Sequence, residues 1–281
     1  MTSKHQVLLL GGEGFIGRNI IETLGGNFNC TSTGISRSPF PKSTAKYVEL
    51  NPYTTRLTED FNTVIHLIDN NIDLKNFEQS ELKLTKNIHL KSGAHLILFS
   101  SSVIYANPNS EYGQRKLLLE KIYEKYCAKN NINLSIIRLF NTYGKYQVPY
   151  KQGSLVANIF YNYLNKIPIE INDIEATRDF LYASDIGKFI KYIINQKHYG
   201  IVNIASENRI SIKDLITTIQ EQAIKKDLHI NNKLITENIV CPTANNQIVN
   251  KIKITSLTLG LIKTFSFYKK NQDIIKEYLI K

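Results

Sequence analysis

One stretch fixes the architecture expected of this chain, namely Val7-Leu8-Leu9-Leu10-Gly11-Gly12-Glu13-Gly14-Phe15-Ile16-Gly17-Arg18-Asn19. Four apolar residues in a row predict a buried strand, the glycines predict a tight turn, and the apolar spacing that follows predicts a helix. Gly11 and Gly14 let the backbone approach phosphate groups, Gly17 lets the helix pack closely on the strand, and free amides at the helix N-terminus face the anion. The stretch therefore predicts a dinucleotide pyrophosphate site; a glycine-rich turn without a ligand is the alternative.

The composition is that of an ordinary globular protein, with 281 residues of which 42% are hydrophobic. The 35 lysines and arginines outnumber the 24 aspartates and glutamates, and the formal net charge of +11 attracts anions in general. The basic residues are scattered, and the tight clusters are short, Lys225-Lys226 and Lys269-Lys270. We therefore expect a phosphate-rich small ligand and no nucleic acid partner.

Three cysteines, Cys30, Cys127 and Cys241, are too few and too far apart for a disulfide framework or a zinc site. We interpret them as packing residues in a reducing compartment and expect no metal. No secretory signal is visible, and no apolar run approaches the length of a membrane span. The sequence therefore predicts a cytoplasmic protein without a membrane partner.

The run Asn29-Cys30-Thr31-Ser32-Thr33-Gly34-Ile35-Ser36-Arg37-Ser38 predicts the second strand and its exit. An NAD-binding chain places an acidic residue about twenty positions beyond the glycine turn, where it binds the ribose 2′-hydroxyl. Here that neighbourhood holds Ser36 and Arg37. Because a guanidinium matches phosphate oxygens and a carboxylate repels them, the sequence predicts NADP(H) as the cofactor in preference to NAD(H). The alternative is that Arg37 is a solvated surface charge.

Further strands are expected at Tyr47-Val48-Glu49-Leu50 and Thr63-Val64-Ile65-His66-Leu67-Ile68, and a helix at about 74 to 90. The apolar run Leu96-Ile97-Leu98-Phe99 predicts a central parallel strand, which ends in Ser100-Ser101-Ser102-Val103-Ile104-Tyr105. Ligands of open α/β sheets bind at the carboxyl ends of such strands. We therefore expect the serine hydroxyls to lie beside the cofactor.

The stretch Glu111-Tyr112-Gly113-Gln114-Arg115-Lys116 opens a predicted helix that runs to about Asn130. Tyr112 and Lys116 are one helical turn apart, so their side chains lie on the same face. A phenol is a poor acid or base at neutral pH, but a nearby ammonium favours the phenolate and makes proton transfer accessible. The Tyr-x-x-x-Lys spacing is common in a chain with 16 tyrosines. Its position after the glycine turn and the strand-end serines is what indicates catalysis.

Taken together, these motifs resemble the extended short-chain dehydrogenase/reductase family, in its branch of NAD(P)-dependent nucleotide-sugar epimerases, dehydratases and reductases. The resemblance covers nearly the whole chain. Beyond the glycine turn it rests on the stretches Val64-Ile65-His66-Leu67, Ser100-Ser101-Ser102-Val103-Ile104-Tyr105, Arg138-Leu139-Phe140-Asn141-Thr142-Tyr143-Gly144, Thr177-Arg178-Asp179-Phe180-Leu181-Tyr182-Ala183-Ser184-Asp185 and Val202-Asn203-Ile204-Ala205.

The resemblance implies roles for the catalytic residues. Ser101 matches the family's catalytic serine or threonine, Tyr112 its proton donor, and Lys116 both the electrostatic partner of the tyrosine and a ribose contact. The implied reaction is reduction of a sugar ketone by the nicotinamide, while Tyr112 protonates the forming alkoxide and Ser101 hydrogen-bonds it. Arg178 matches a contact to the substrate diphosphate, and Asn141 a contact to the sugar or phosphate.

The resemblance also implies contacts around these residues. Ser102 is expected to touch the substrate. For Arg178 the alternative role is a structural salt bridge with Asp179 or Asp185. Further cofactor contacts are expected at Phe15, Ile16, Glu49, Leu50 and Leu67.

Departures from the family pattern argue against two of the reactions that the family catalyses. Dehydratases of this branch follow the catalytic residue with an Asp-Glu pair, whereas Ser102-Val103 stands here, which argues against dehydration. Bifunctional epimerase-reductases carry a Cys where Val103 stands and a His near Tyr146, which argues against C3/C5 epimerisation. The pair Ile68-Asp69 replaces the small residues that in the family usually lie beside the cofactor.

The leading hypothesis is therefore an NADP(H)-dependent reductase of the 4-keto group of a nucleotide-linked 4-keto-6-deoxy sugar, serving surface-polysaccharide or O-antigen synthesis in a bacterium. The second is an NAD-dependent nucleotide-sugar 4-epimerase. The third is a non-catalytic NADP(H)-sensing protein of the same fold, which would need none of Ser101, Tyr112 and Lys116. None of the three hypotheses involves a nucleic acid partner.

The expected fold class is α/β, with a Rossmann-type doubly wound parallel sheet and a smaller α/β substrate-binding lobe at the C-terminal side. By the resemblance, residues 1–148 and 174–205 form the dinucleotide-binding domain. Residues 149–173 and 206–281 form the lobe for the nucleotide-diphosphate sugar.

Finer features of these domains are also expected, partly from the resemblance and, for the Ser211 cap, from the residues themselves. A helix is expected at 155–165, the stretch 180–203 is expected to return to the sheet, and Ser211 is expected to cap a helix. The family's dimer helices correspond to 74–90 and 111–130, which implies a homodimer.

Overall fold

The computed structural model describes residues 4–57, 61–151, 154–232 and 248–280. The chain divides into two compact units. Unit 1 consists of Met1–Leu139 with Ile186–Ile204, and unit 2 of Phe140–Asp185 with Ala205–Lys281. The chain therefore passes from unit 1 into unit 2, returns once, and enters unit 2 again.

Strands and helices alternate through most of unit 1. The described residues form the strands β1 (Gln6–Leu10), β2 (Asn29–Thr33), β3 (Lys46–Val48), β4 (Thr63–His66), β5 (His95–Ser101), β6 (Asn133–Leu139), β7 (Asn141–Tyr143), β8 (Ile169–Ile171), β9 (Thr177–Tyr182), β10 (Gly200–Ile204), β11 (Arg209–Ser211) and β12 (Ile230–Asn232). The helices are α1 (Phe15–Leu24), α2 (Leu74–Asn87), α3 (Val103–Ala106), α4 (Glu111–Asn130), α5 (Leu155–Asn165), α6 (Ala183–Gln196), α7 (Ile212–Thr218), α8 (Leu257–Lys270) and α9 (Gln272–Ile280). A π-helical turn follows α7 at Ile219–Ile224, and a 3-10 turn lies at Val249–Lys251.

Unit 1 is built around a seven-stranded sheet in the order β10-β6-β5-β4-β1-β2-β3. Every neighbouring pair in this sheet is parallel. Because β1 lies between β2 and β4, the strand order runs outward from β1 in both directions. Ligands of open α/β sheets bind at such a switch point, outside the carboxyl ends of the strands. The predicted Rossmann-type doubly wound sheet is confirmed.

One face of this sheet packs against α2 and α4. Leu8 and Leu10 of β1 and Leu96 and Leu98 of β5 belong to one buried cluster with helix residues such as Phe77. None of the four leucines is more than 1% exposed. Full burial of one such side chain contributes about 2 kcal/mol. This packing holds α4 against the sheet.

We expect Leu98→Ala to lower the free energy of unfolding by about 2–5 kcal/mol, because it leaves a cavity in a close-packed apolar cluster. Leu259→Ala is the matched control, because Leu259 on α8 is 45% exposed and its truncation removes little buried surface. Chemical denaturation followed by circular dichroism measures both variants. Equal losses in the two variants would contradict the core position of Leu98.

Unit 2 contains two small sheets, β11-β9-β7 and β12-β8. Strand β9 is parallel to β7 and antiparallel to β11. The expectation that 180–203 returns to the main sheet is right for β10, which pairs with β6, and wrong for β9. The reason is strand pairing, since both partners of β9 belong to unit 2.

The unit boundaries differ from those expected for the two domains. Residues 140–148, 174–185 and 205 belong to unit 2, whereas the sequence-based division places them in the dinucleotide-binding domain. Helix α5 coincides with the predicted helix 155–165. Helix α7 is capped as predicted, since Ser211 Oγ accepts a hydrogen bond from the Asp214 amide at 2.9 Å. The role of unit 2 in substrate binding stays a prediction.

The two helices expected at a dimer interface are α2 and α4, which pack against each other within unit 1. Helix α2 begins after Asp73, whose Oδ1 accepts a hydrogen bond from the Asn76 amide at 3.1 Å. The hydrogen bonds from Asn76 lower the pKa of the Asp73 carboxyl, which therefore carries the negative charge that favours a helix N-terminus. The homodimer itself stays a prediction.

Within the ranges that the structure describes, no helix combines the length and the apolar character needed to cross a membrane. The same ranges contain no group of three His, Cys, Asp or Glu side chains that could hold a metal ion. Burial raises the thiol pKa of Cys30 to about 11 and that of Cys127 to about 12, as packing residues would show. Cys241 lies outside the described residues.

Candidate active site

The glycine turn brings the end of β1 and the start of α1 into backbone contact. Gly11 has a φ of +78°, a conformation that favours glycine. A Cβ on Gly17 would lie 2.4 Å from the carbonyl oxygen of Gly12. The close approach that Gly17 permits is therefore to the turn itself, and any side chain there would push α1 away.

Helix α1 begins directly after Gly14 without a side-chain cap. Gly14 is extended, with φ −76° and ψ 178°, and its carbonyl accepts the amide of Arg18 at 3.1 Å. The amides of Phe15 and Ile16 belong to the first turn, where a helix carries a partial positive charge. The backbone alone thus forms a cradle at this point, and it fits the pyrophosphate of a dinucleotide.

A buried ion pair stabilises this turn. The pair was not predicted from the sequence. Arg18 Nη2 lies 2.8 Å from Glu13 Oε2, and each side chain is 4% exposed. Ser43 donates to the Glu13 carboxylate from its amide at 3.0 Å and from its hydroxyl at 2.6 Å. Arg18 also donates to the carbonyl oxygens of Phe40 and Pro41. The only signal in the sequence is a pair of opposite charges within a glycine-rich and apolar stretch.

Arg37 lies between β2 and the segment that Arg18 holds. Its side chain is exposed and, among the residues that the structure describes, has no hydrogen-bond or salt-bridge partner. Ser36 is half-buried, and its amide donates to the Tyr47 hydroxyl at 3.3 Å. That hydroxyl in turn donates to the Gly34 carbonyl at 2.8 Å. Tyr47 therefore shapes the exit from β2 and leaves the guanidinium available for a ligand.

The remaining residues expected to contact the cofactor lie at two places along the same edge. Leu67 follows β4, and its amide donates to the Leu10 carbonyl at 3.0 Å. This contact places Leu67 at the switch point between β1 and β4. Glu49 and Leu50 follow β3, where Glu49 is exposed and Leu50 packs against the core cluster.

Tyr112 and Lys116 lie in the first part of α4. Ser110 caps this helix, since its Oγ accepts the Gly113 amide at 3.0 Å. Lys116 Nζ lies 5.4 Å from the centre of the Tyr112 ring and 3.5 Å from the carbonyl oxygen of Phe99 in β5. The structure therefore brings the predicted phenol and ammonium together, and a strand carbonyl holds the ammonium.

Ser101 is the last residue of β5, shortly after the carbonyl that Lys116 contacts. Its Oγ accepts a hydrogen bond from the Val103 amide at 3.2 Å, and a hydroxyl in this arrangement still has its own proton to donate. Ser102 is half-buried, and its amide donates to the Leu139 carbonyl at 3.0 Å. The strand-end serines thus lie at the carboxyl edge of the sheet, as predicted.

Lys116 also has a charged neighbour, which was not predicted. Asp69 Oδ2 lies 3.3 Å from Lys116 Nζ. In the sequence, Asp69 is visible only as a departure from the family pattern. The two residues are far apart along the chain, so only the folded structure shows their contact.

Asn141 and Arg178, the expected substrate contacts, lie in unit 2. Asn141 is exposed at the start of β7. Arg178 is half-buried on β9, and its Nη1 donates to the Thr177 carbonyl at 2.9 Å. Their contact with a substrate stays a prediction.

The two carboxylates considered as structural partners of Arg178 hold segments of unit 2 together. Asp179 accepts the amide and the hydroxyl of Ser206, each at 2.8 Å. Asp185 accepts the amide of Thr255 at 2.7 Å and its hydroxyl at 3.0 Å. Burial raises the pKa of the Asp179 carboxyl despite these hydrogen bonds.

Known proteins match this chain over most of its length. A family model described as the NAD dependent epimerase/dehydratase family matches residues 7–205, which include the glycine turn, Ser101, Tyr112 and Lys116. The dTDP-4-dehydro-6-deoxyglucose reductase of Escherichia coli is 31% identical over 269 residues, covering 79% of this chain and 83% of that protein. The UDP-2-acetamido-2,6-beta-L-arabino-hexul-4-ose reductase of Pseudomonas aeruginosa is 29% identical over 224 residues, covering 77% of this chain and 57% of that protein.

The fold is also similar to that of a solved structure. The UDP-glucuronic acid 4-epimerase of Bacillus cereus, in complex with UDP-glucuronic acid and NAD, superposes with a TM-score of 0.79 at 21% identity, over 94% of this chain and 99% of that chain. The family predicted from the motifs is therefore confirmed. The chain belongs to the NAD dependent epimerase/dehydratase family, the nucleotide-sugar branch of the extended short-chain dehydrogenases/reductases.

Proposed function

We propose that the protein is an NADP(H)-dependent reductase that reduces the 4-keto group of a nucleotide-linked 4-keto-6-deoxy sugar. The observation that carries this proposal is the placement of the Lys116 ammonium, 5.4 Å from the centre of the Tyr112 ring and against the Phe99 carbonyl. The two curated relatives, named as reductases of a dTDP-linked and a UDP-linked sugar, support this choice of reaction.

In the proposed mechanism, residues of unit 1 handle the proton and the charge. A bound NADPH supplies the reducing equivalents. The Tyr112 hydroxyl donates its proton to the carbonyl oxygen of the substrate as that oxygen gains negative charge. The Ser101 hydroxyl donates a hydrogen bond to the same oxygen and stabilises the developing charge. Lys116 stabilises the phenolate that remains, and a proton from solvent restores the phenol.

The same unit supplies the groups that would hold the cofactor. The glycine turn, with the amides of Phe15 and Ile16, suits the pyrophosphate. The exposed guanidinium of Arg37 suits a 2′-phosphate, because it offers several donors and a full positive charge. Ser36, next to it, adds a hydroxyl that can donate to the same phosphate.

We extend the proposal to the cellular compartment, the use of the product and the oligomeric state. The cytoplasm supplies NADPH and nucleotide sugars, and the product would serve surface-polysaccharide synthesis, such as that of O-antigen. A homodimer would use α2 and α4, and Leu82 on α2, which is 45% exposed, offers it an apolar contact. The proposed partner is thus a nucleotide-diphosphate sugar together with a second copy of the chain.

Net consumption of NADPH separates the proposed reductase from its alternatives. We expect the purified protein to oxidise NADPH in proportion to the 4-keto-6-deoxy sugar supplied, across a panel of dTDP-, UDP-, CDP- and GDP-linked substrates assayed by loss of NADPH absorbance. Interconversion of UDP-glucose and UDP-galactose without net NADPH loss would favour a 4-epimerase. Saturable NADPH binding without either reaction would favour a non-catalytic sensor.

We expect Arg37→Ala to weaken NADPH binding about tenfold to a hundredfold, because a hydrogen bond to a charged group contributes about 1.5–3 kcal/mol. NADH lacks the 2′-phosphate, so its dissociation constant should not change. Fluorescence titration measures both ligands, and Arg56→Ala, which removes another exposed arginine of unit 1, is the control. A preference of the wild-type protein for NADH would refute the role of Arg37.

We expect Tyr112→Phe to reduce kcat by about a hundredfold or more, because loss of a general acid removes a contribution of about 10²–10⁴. NADPH binding should change little, since the ring remains. Tyr126→Phe is the matched control on the same helix, because the Tyr126 hydroxyl donates to the Ile88 carbonyl at 2.6 Å and has no part in the mechanism. Steady-state assays give kcat for both variants, and near-normal turnover in Tyr112→Phe would exclude the proposed proton donor.

A further inference from the structure

Asp69 adds a carboxylate to the surroundings of Lys116. Its Oδ2 lies 3.3 Å from Lys116 Nζ, and the side chains are 44% and 6% exposed, respectively. The ammonium is therefore buried near the Phe99 carbonyl and the Tyr112 ring. The carboxylate remains accessible at the carboxyl edge of the sheet.

The backbone before Asp69 is fixed to the switch point. The Leu67 amide donates to the Leu10 carbonyl at 3.0 Å, which continues the pairing of β4 with β1. The Ile68 amide donates to His66 Nδ1 at 3.2 Å. Asp69 therefore directly follows two residues whose amides are both hydrogen-bonded.

The residues after Asp69 are also fixed. Asn70 Nδ2 donates to the Tyr53 hydroxyl at 2.6 Å. Asn71 Oδ1 accepts a hydrogen bond from Arg115 Nη2 at 2.8 Å. Since α4 carries both Arg115 and Lys116, the segment is joined to the catalytic helix by two cationic side chains.

This segment also lies against the glycine turn. A Cβ on Gly11 would lie 3.2 Å from Ile68 Cγ1. Ile68 thus borders the pyrophosphate cradle. Its neighbour in sequence, Asp69, is paired with Lys116. A dinucleotide bound between the cradle and the Tyr112–Lys116 pair would therefore bring the ribose that bears the nicotinamide close to Asp69.

The chemistry of the pair suits the hydroxyls of a ribose. A carboxylate accepts hydrogen bonds and an ammonium donates them, whereas two neighbouring hydroxyls can do both. A carboxylate without a partner would repel the cofactor phosphates, but the ammonium of Lys116 offsets its charge.

We propose that Asp69 is a cofactor-binding residue that, together with Lys116, holds the two hydroxyls of the ribose next to the nicotinamide. This inference rests on the nicotinamide cofactor of the proposed function. It assigns a binding role to a residue at which the chain departs from the family pattern.

Binding to the purified protein without substrate tests the inference. Asp69→Ala should weaken NADPH binding about tenfold, the effect of losing a hydrogen bond to a charged group. Adenosine 2′,5′-bisphosphate contains only the adenosine half of the cofactor, so its dissociation constant should not change. Asp69→Asn keeps an acceptor oxygen and should restore part of the NADPH affinity. Glu78→Gln, which neutralises an exposed carboxylate on α2, should change neither ligand.

Two results would overturn the inference. Unchanged or tighter NADPH binding in Asp69→Ala would mean that the carboxylate only competes with the cofactor for Lys116. Equal weakening of both ligands would mean that Asp69 merely supports the fold of the site. If the wild-type protein prefers NADH, the comparison uses NADH and 5′-AMP, so the role of Asp69 is tested separately from the reductase reaction and from NADP(H) preference.

Discussion

The backbone contact between Gly12 and Gly17 is the constraint on which the cofactor site depends. A Cβ at position 17 would lie 2.4 Å from the Gly12 carbonyl oxygen, so α1 can start where it does only because no side chain is present. Its N-terminus then lies at the carboxyl end of β1, the strand at which the order of the sheet reverses. The other groups of unit 1, from Arg37 beyond β2 to Tyr112 and Lys116 on α4, are arranged along this edge.

Two of the ion pairs of unit 1 that contain a buried charge differ in how far they are exposed to solvent. A charge removed from water is tolerated when it is paired and hydrogen-bonded. Glu13 and Arg18 satisfy each other and are both inaccessible, so their pair serves as a structural tie. Lys116 is equally buried, but its partner Asp69 is open to solvent. The Glu13–Arg18 pair therefore only holds backbone segments, whereas the Asp69–Lys116 pair can contact a ligand. The two pairs differ in solvent access and not in chemistry.

Features with a local pattern could be predicted from the sequence. The apolar run of β1 with its glycines, the run of β5, and the Tyr112 and Lys116 spacing each lie within one short stretch, and the structure contains all three. Contacts between distant segments have no such pattern. Asp69 reaches Lys116 only because β4 and α4 pack in one unit, and β9 pairs with β7 and β11 because tertiary structure selects strand partners. Residue types at the site were therefore predictable, whereas several of their partners were not.

Arg37 stands on a short connection whose two ends are held without help from its side chain. Strand β2 holds one end, and at the other Arg18 binds the backbone carbonyls of Phe40 and Pro41. Contacts to carbonyl groups do not depend on which side chains a segment carries. The residue at position 37 can thus be replaced over evolutionary time without loss of either anchor. Under the role proposed for Arg37, selectivity between the two nicotinamide dinucleotides would be a modular trait that can diverge among descendants independently of the catalytic helix.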